Sequence, residues 1–326
     1  MRESILRILQ EEADVSGEEL SRRLCISRTA VWKHIKVLRR LGYTIHSSPH
    51  NGYSFVSSPD LLLPDEIKCR LNTAFMGRSI LYCTEATSTQ DIAAQAAMRG
   101  DCEGTVIIAE SQTRGRGRKN RHWISPAYSG IYLSAILRPR LRPDMTLQIP
   151  LIAGVAAARA IQTQTGLAPR LKWPNDIMLN GKKAGGILTE MSSDMDEVHY
   201  AILGIGLNVN TIADIMTGTL QRTATSLMHV CGRRISRVRL AQCLLVELEN
   251  CYREFISHGF PPLRKEWLSF SQTIGSRVRV ISGAETIDGK AIDIDEDGFL
   301  LIRESKGHIK RIVSGDVFHS AAGREN

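Results

Sequence analysis

The first sixty residues place apolar side chains at helical spacing and separate them with polar residues that favour helix starts. Ser16 followed by Glu19 has the form of a capping box at the start of a short helix. After a tight turn, Ser27 is placed to cap a second helix over residues 28–41, in which apolar side chains recur on one face. Two short helices joined by a tight turn predict a helix-turn-helix.

Short alternating runs follow and favour a β-hairpin. Residues 43–45 and 53–55 flank the segment Pro-His-Asn-Gly at 49–52, and Asn-Gly between alternating runs is a strong hairpin signal. A hairpin directly after a helix-turn-helix predicts a winged helix.

The charge of this region indicates an anionic partner. Residues 21–59 contain seven Lys or Arg and no Asp or Glu. We therefore expect contacts to DNA phosphates and base edges from Ser27, Arg28, Thr29, Trp32, Lys33 and Lys36. The alternative is a helical dimerisation or docking module whose charges form a solvated face. For Trp32 we favour packing under the wing over base contact.

Beyond residue 77, short apolar runs typical of strands alternate with helical runs. This order predicts a mixed α/β domain that carries its function on loops. Strands are expected at residues 80–83, 105–109, 131–137, 171–176, 186–190 and 200–203, and helices from Ser88 to Met98 and over about residues 147–165.

The last third begins with a long amphipathic pattern at about residues 237–258 and a further helix around Trp267. Short alternating strands follow, with turns predicted at residues 282–283, 288–289, 297–298 and 306–307. This pattern predicts a small β-barrel. The expected domain boundaries are 1–60, 61–270 and 271–326.

Composition narrows the class of protein. With 326 residues, 43% hydrophobic and 23% charged, the chain has the make-up of a soluble protein of two to three domains. We expect no membrane span, because no run of 18 uncharged apolar residues occurs, and no signal sequence, because Met1-Arg-Glu-Ser-Ile-Leu lacks an apolar signal region. Seven scattered cysteines without a C-x-x-C pair predict reduced thiols in the cytoplasm, and no metal-ligand spacing is present.

One loop combines glycine and arginine. Residues 112–123 read Gln-Thr-Arg-Gly-Arg-Gly-Arg-Lys-Asn-Arg-His-Trp. Glycine lets the backbone approach a ligand, and arginine offers a fork of donors for carboxylate or phosphate. A disordered RNA-binding segment or a solvated basic loop would have the same composition. Its position between two apolar runs favours a loop inside a folded domain.

Three further loops are polar, and each alone is compatible with an ordinary turn. They read Ser-Thr-Gln at 88–90, Lys-Trp-Pro-Asn-Asp at 172–176 with Gly-Lys-Lys-Ala-Gly-Gly at 181–186, and Gly-Ile-Gly-Leu-Asn-Val-Asn at 204–210. The chain has no G-x-x-x-x-G-K-[ST] and no G-x-S-x-G, which argues against a P-loop and a serine-hydrolase elbow.

Taken together and in order, these four loops closely resemble the bifunctional biotin protein ligases that double as biotin-operon repressors. The resemblance extends over essentially the whole chain and implies that the C-terminal barrel is SH3-like. One departure is Asn120, where many members have Gly. Asn tolerates a left-handed backbone better than most residues, so we expect the turn to survive.

The resemblance implies a two-step reaction. Biotin and ATP give biotinyl-5′-AMP and pyrophosphate, with Mg²⁺ on the phosphates, and the biotinyl group then passes to a lysine of a carboxylase carrier domain. Biotin's carboxylate and the α-phosphate repel one another, so the site must be cationic. The family also implies operator DNA as a partner, a homodimer when liganded, and biotinyl-AMP as corepressor.

The resemblance also assigns residues. The expected catalytic residues are Lys183, Arg118 and Asp176. Biotin is expected at Ser88, Thr89, Gln90, Gln112, Gly115, Arg116, Gly117, Arg118 and Lys183, and the nucleotide at Arg121, Trp123 and Asn208. We expect the Gly-Arg loop to be mobile when empty and ordered by ligand.

Two other functions fit part of these features. A lipoate ligase would share the central fold, although Arg116, Arg118 and the C-terminal barrel favour biotin. The second alternative is a ligand-responsive transcription factor that has lost enzyme activity. The presence of Arg118, Asp176 and Lys183 argues against such a loss of activity.

Overall fold

The structure is a computed structural model, and it describes residues 1–48, 51–212, 218–283 and 285–319. The N-terminal part contains α1 (Arg2–Glu11), α2 (Gly17–Leu24), α3 (Arg28–Arg40), β1 (Thr44–Ser48) and β2 (Gly52–Ser57). Both predicted caps are made, since the Ser16 hydroxyl accepts the Glu19 N–H at 3.0 Å and the Ser27 hydroxyl accepts the Ala30 N–H at 3.1 Å. Strands β1 and β2 pair antiparallel as the wing. The predicted turn falls partly on residues 49 and 50, which lie outside the described residues.

The central part is built on a mixed sheet. Its strands are β3 (Ile80–Ala86), β4 (Val106–Gln112), β5 (Gly130–Leu137), β6 (Arg170–Lys172), β7 (Asp176–Leu179), β8 (Lys182–Ser193) and β9 (Val198–Asn208). Within the described residues the order is β3-β4-β5-β9-β8-β7-β6, with β3 and β4 parallel and the other neighbours antiparallel. Because the strands end near one another, the four polar loops are brought to one side of this sheet.

The helices of the central part pack around that sheet. They are α4 (Pro64–Cys69), α5 (Thr89–Met98), α6 (Ile149–Thr165), α7 (Thr219–Thr223), α8 (Leu227–Cys231), α9 (Arg237–His258) and α10 (Pro261–Phe270). Among the described helices, the segment Pro143–Thr165 is long and apolar enough to cross a membrane, but 72% of its apolar window is buried inside the protein. A core helix of this kind passes the same test, so its composition reflects burial in the domain.

The C-terminal part forms an antiparallel sheet from β10 (Arg277–Ser282), β11 (Glu285–Ile294), β12 (Leu300–Arg303), β13 (Ile309–Ile312) and β14 (Asp316–His319). The predicted turn at residues 288–289 is wrong, because both residues lie inside β11. Gly289 pairs with Val278 of β10, and a Cβ on it would stand 2.5 Å from the Arg303 carbonyl oxygen, so glycine allows the close approach of β12. Residues 320–326 of the predicted last domain lie outside the described residues.

A buried ion pair anchors the segment that joins the winged helix to the central sheet. Arg237 on α9 and Glu110 on β4 are both fully buried, with 2.7 Å between Nη1 and Oε2. The Arg237 Nε also donates to Asp60 at 3.3 Å, and the Leu62 N–H donates to Glu110 at 2.7 Å. The linker is therefore held by the same charged pair that ties α9 to the sheet.

Candidate functional site

A cleft of about 590 Å³ opens above the central sheet, between the Gly-Arg loop and β14. All four polar loops contribute to its walls. The predicted ligand residues that line it are Ser88, Thr89, Gln90, Gln112, Arg116, Gly117, Arg118, Arg121, Trp123, Asp176, Lys183 and Asn208. Gly115 is predicted to bind biotin but lies behind the wall of the cleft, where it shapes the loop.

One end of the cleft is a network of uncharged polar groups. The Gln112 amide oxygen accepts the Thr89 N–H at 2.9 Å and its hydroxyl at 3.2 Å, and the Gln112 amide nitrogen donates to the Ser125 hydroxyl at 2.8 Å. The Ser134 hydroxyl donates to the Thr89 Oγ1 at 2.8 Å. Each side chain is thereby held in one orientation, as recognition of a neutral polar ring system requires.

Gln90 crosses the floor of this end. Its amide nitrogen donates to Glu190 at 3.1 Å, while its buried Oε1 has no donor in the described part of the chain. A Cβ on Gly204 would lie 2.6 Å from that oxygen, so glycine at this position of β9 leaves room for the Gln90 amide in this orientation. A buried acceptor without a partner is costly, and a ligand N–H would satisfy it.

The Gly-Arg loop folds back on itself as a hairpin-like turn. The Trp123 N–H donates to the Gly115 carbonyl at 2.8 Å, and a Cβ on Gly115 would stand 2.3 Å from the Trp123 oxygen. At the tip, Lys119 and Asn120 have φ of 55° and 58°. The expectation that Asn120 accommodates a left-handed backbone is confirmed.

The Trp123 indole covers the middle of the sheet. A Cβ on Gly206 would lie 2.6 Å from the indole, and one on Gly186 would lie 3.2 Å from it. The Lys183 Nζ is 5.5 Å from the centre of the ring, within reach of a cation–π interaction. The glycines of two loop motifs thus make room for the aromatic side chain of a third.

The other end of the cleft is cationic. The Lys183 Nζ lies 2.5 Å from the Asp176 carboxylate, and the Arg118 guanidinium donates to the Asn175 amide oxygen at 3.2 Å and the Gly315 carbonyl at 3.3 Å. Burial lowers the pKa of Arg118 and also that of Lys172, which lies against Phe318 with 6.0 Å between Nζ and the ring centre. These cations converge on one wall and suit an anionic ligand group.

Asn208 has a structural contact in addition to its place on the wall. Its amide nitrogen donates to the Thr225 carbonyl at 3.1 Å, and the Thr225 N–H donates to the Lys183 carbonyl at 2.9 Å. Asn208 therefore links β9 to the chain segment that borders Lys183.

Several cleft residues were absent from the sequence prediction. Asn175 and Lys172 belong to the motif at residues 172–176, but the sequence pattern assigned no role to either residue. Asp316 lies on β14, where its carboxylate is 3.1 Å from the Lys119 Nζ and 2.5 Å from the Arg121 guanidinium. No local pattern marked Asp316, because its partners are almost two hundred residues away in sequence.

Metal binding by side chains alone finds no support. Among the described residues, no three His, Cys, Asp or Glu side chains form a group that could hold a metal ion. Mg²⁺ commonly binds through one or two carboxylates together with substrate phosphates, and Asp176 is a carboxylate in the cleft that fits this arrangement.

The predicted DNA-contacting face is exposed along α3. Its cap and polar side chains reach solvent: Ser27, Arg28, Thr29, Trp32, Lys33 and Lys36. Packing of Trp32 under the wing is wrong, since the side chain is 50% exposed and the Lys36 Nζ lies 5.0 Å from its ring centre. Trp32 stands one position after buried Val31, and that step turns it about 100° away from the core face.

The cleft therefore has a network of uncharged, hydrogen-bonded side chains at one end and a cationic wall at the other. A molecule with a polar uncharged ring and an anionic tail would satisfy both ends. The fixed polar network and the cationic wall suit positioning and charge neutralisation.

Comparison with known proteins agrees with this geometry. Residues 2–54 match an HTH domain, residues 81–208 match the biotin/lipoate A/B protein ligase family, and residues 273–320 match a biotin protein ligase C-terminal domain. The biotin protein ligase from Aquifex aeolicus, solved with biotin and ATP, superposes with a TM-score of 0.65 at 30% identity, covering 74% of this chain and all of that one.

Two relatives align with this chain over nearly their whole length. The bifunctional ligase/repressor BirA of Bacillus subtilis (strain 168) is 39% identical over 319 residues, which cover 97% of this chain and 98% of that protein. The protein of the same description from Escherichia coli (strain K12) is 29% identical over 302 residues, covering 93% and 92%. The chain therefore belongs to the family of the bifunctional ligase/repressor BirA proteins.

Proposed function

We propose that this protein activates biotin with ATP and transfers the biotinyl group to a lysine of a carboxylase carrier domain. The observation that carries the proposal is the cleft with two chemically distinct ends. Biotin has a neutral ureido ring with both donors and acceptors, and it has a carboxylate at the end of a chain. The Gln112 network suits the ring, and Lys183 with Arg118 suits the carboxylate.

The proposed roles follow from charge. Lys183 and Arg118 bring the biotin carboxylate and the α-phosphate together by neutralising both, and Asp176 holds the Lys183 ammonium in place. Mg²⁺ enters with ATP and supplies further charge neutralisation on the phosphates. Trp123, Arg121 and Asn208 form the wall that we assign to the nucleotide.

The ligase proposal is tested by transfer of labelled biotin to a purified carrier domain. Label on the carrier lysine is expected with ATP and not without it. Lipoate in place of biotin serves as the comparison, because the family model that matches the central domain also includes lipoate ligases. Equal transfer of both acids would contradict a biotin-specific site, and no transfer of either would refute the ligase.

We further propose that the winged helix binds operator DNA as a dimer and that biotinyl-AMP is the corepressor. A single winged helix covers a short site, and two copies across a palindrome give adequate specificity. When carrier domain is scarce, adenylate persists and repression follows. When carrier is plentiful, adenylate is consumed.

Footprinting on a biotin-operon control region, with biotin and ATP present or omitted, tests this role. Lys33→Ala should weaken binding and reduce the salt dependence by about one phosphate contact. Lys265→Ala removes the same charge from an exposed position of α10, outside the winged helix, and serves as control. Absence of specific binding under both conditions would refute the repressor role. Equal binding under both conditions would show that biotinyl-AMP is not a corepressor.

The proposed compartment is the cytoplasm. All seven cysteines are free in the structure. Four of them lie in or against the hydrophobic core, namely Cys69, Cys231, Cys243 and Cys251. The proposed division into domains at residues 1–60, 61–270 and 271–326 can be tested by limited proteolysis.

A further inference from the structure

The Arg116 side chain is occupied by carboxylates of the protein itself. Its Nη1 donates to Asp91 at 2.5 Å, and its Nη2 contacts Glu190. Asp91 lies in the first turn of α5 and Glu190 lies on β8, where it also accepts the Gln90 amide. Both terminal nitrogens of Arg116 are thus paired with carboxylates, one on α5 and one on β8.

The other cations of the loop separate into two kinds. Lys119 and Arg121 pair with Asp316 on β14. Arg118 contacts two neutral acceptors, and it is the one Lys or Arg of residues 115–123 without a carboxylate partner among the residues that the structure describes. Within residues 115–123 the loop is therefore held by carboxylates at Arg116, Lys119 and Arg121, and Arg118 has only neutral partners in the described structure.

We propose that Asp91 and Glu190 are positioning residues that clamp Arg116, hold the Gly-Arg loop closed over the neutral end of the cleft, and set the lifetime of bound biotinyl-AMP. This rests on the proposed ligase function. It changes the interpretation of Arg116, whose guanidinium serves the clamp while Arg118 serves the ligand anion. Glu190 links the clamp to Gln90, so closure and the orientation of the cleft floor are coupled.

The partial exposure of these ion pairs limits how much the clamp can slow loop opening. The Arg116, Asp91 and Glu190 side chains are 39%, 43% and 37% exposed. Ion pairs of this kind are individually weak and are screened by salt. Two of them acting on one side chain give an expected change of about three- to tenfold in the rate of loop opening.

The first experiment measures release of preformed biotinyl-AMP from the full chain, at low and high salt. In the double variant Asp91→Asn/Glu190→Gln, release should be about three- to tenfold faster than in the unmodified protein and should lose most of its salt dependence. Asp144→Asn is the matched control, because it removes a carboxylate from an exposed ion pair with Arg142. Release indistinguishable from this control would overturn the clamp.

A double-mutant cycle separates the clamp from a general loss of structure. Once Arg116→Ala has removed the cation, adding the two carboxylate substitutions should change release little further. Effects that multiply instead would show that the carboxylates act independently of Arg116, and the proposal would be wrong.

A second readout does not depend on ligase activity. The loop offers trypsin several Lys and Arg sites, and neither substitution alters them. Without ligand, cleavage in the loop should be several-fold faster in the double variant than in Asp144→Asn, while circular dichroism shows both folded. Equal cleavage would reject the clamp. If the unmodified protein forms no adenylate, the proposed ligase fails, and the cleavage rates still decide the clamp.

Discussion

The Lys183 ammonium lies 2.5 Å from the Asp176 carboxylate, and the two residues stand on neighbouring strands of a hairpin. Asp176 begins β7 and Lys183 lies near the start of β8, and the register of the two strands shifts between Ile177 and Met178. Lys183 pairs with Met178, which lies two positions from Asp176 and therefore on the same face of β7, so both side chains face the cleft.

Replacing Lys183 with alanine should abolish most adenylate formation while the fold remains. Loss of a positioned cation that faces a transferring phosphate costs on the order of 10²–10³ in rate. Pyrophosphate release with biotin and ATP gives the measurement. Lys182→Ala is the control, because the Lys182 Nζ contacts the Gln221 carbonyl at 3.4 Å and does not line the described cleft. Near-normal adenylate synthesis by Lys183→Ala would remove the assignment.

Arg118→Gly should release biotinyl-AMP before transfer. Arg118 is the loop cation that has neutral partners in the described structure, so the ligand anion is its natural counter-ion. A released anhydride acylates lysines on bystander proteins, and labelling of serum albumin by biotin measures it. Arg114→Gly introduces the same substitution at an exposed residue outside the cleft. Label confined to the carrier domain in both variants would show that Arg118 does not retain the intermediate.

Lys172→Met should stabilise the fold and weaken ligation. Burial lowers the pKa of Lys172, with Lys183 adding to the effect and Asp176 opposing it, and no carboxylate of the described residues lies within ion-pair distance. We expect a gain of about 1 kcal/mol in the free energy of unfolding at neutral pH, as when other buried charges are replaced by apolar side chains.

The pH dependence of that gain has a defined sign. Because the pKa is depressed in the folded state, the cost of the charged amine is full below the folded-state value and vanishes above the ordinary lysine value of 10.5. Urea unfolding at pH 7 and at pH 10 should therefore show a smaller difference between variant and unmodified protein at the higher pH. A difference that grows with pH would contradict burial of a charged Lys172.

Arg237→Met should destabilise the protein strongly. It leaves Glu110 fully buried without its counter-ion, and breaking such a pair costs about 3–5 kcal/mol. Arg279→Met breaks an exposed pair with Asp288 and should cost no more than about 1 kcal/mol. Chemical denaturation compares the two, and similar midpoints would show that the buried pair contributes nothing special to stability.

Local interactions explain what could be predicted from sequence. Ser16 and Ser27 start helices through hydrogen bonds within three residues, so a short pattern is sufficient. The Asp-Gly pair at 288–289 has the same local form as a turn, yet pairing with Arg279 and Val278 of β10 keeps it in a strand. Strand pairing depends on distant parts of the chain, which a local pattern does not contain.

The candidate site shows the same division. Lys183, Arg118 and Asp176 lie in motifs whose order along the chain resembles that of a known family. The structure brings the three side chains to one wall of the cleft. Asp316 meets Arg121 across 195 positions of sequence, and the clamp joins Arg116 to Glu190 across 74. The second contact arises only when the strands of the central sheet pair, and the first only when the C-terminal part packs against it, so residue type alone does not reveal them.

Strand β14 gives the cleft its last wall, and this sets an order of events during synthesis. Domains generally fold as units as they leave the ribosome, with the N-terminal domain first. The winged helix is complete while most of the chain is still untranslated, whereas the cleft needs Gly315 and Asp316. A nascent chain therefore has a folded DNA-binding domain well before its cleft can bind a ligand. Each newly made copy of the protein is initially unliganded.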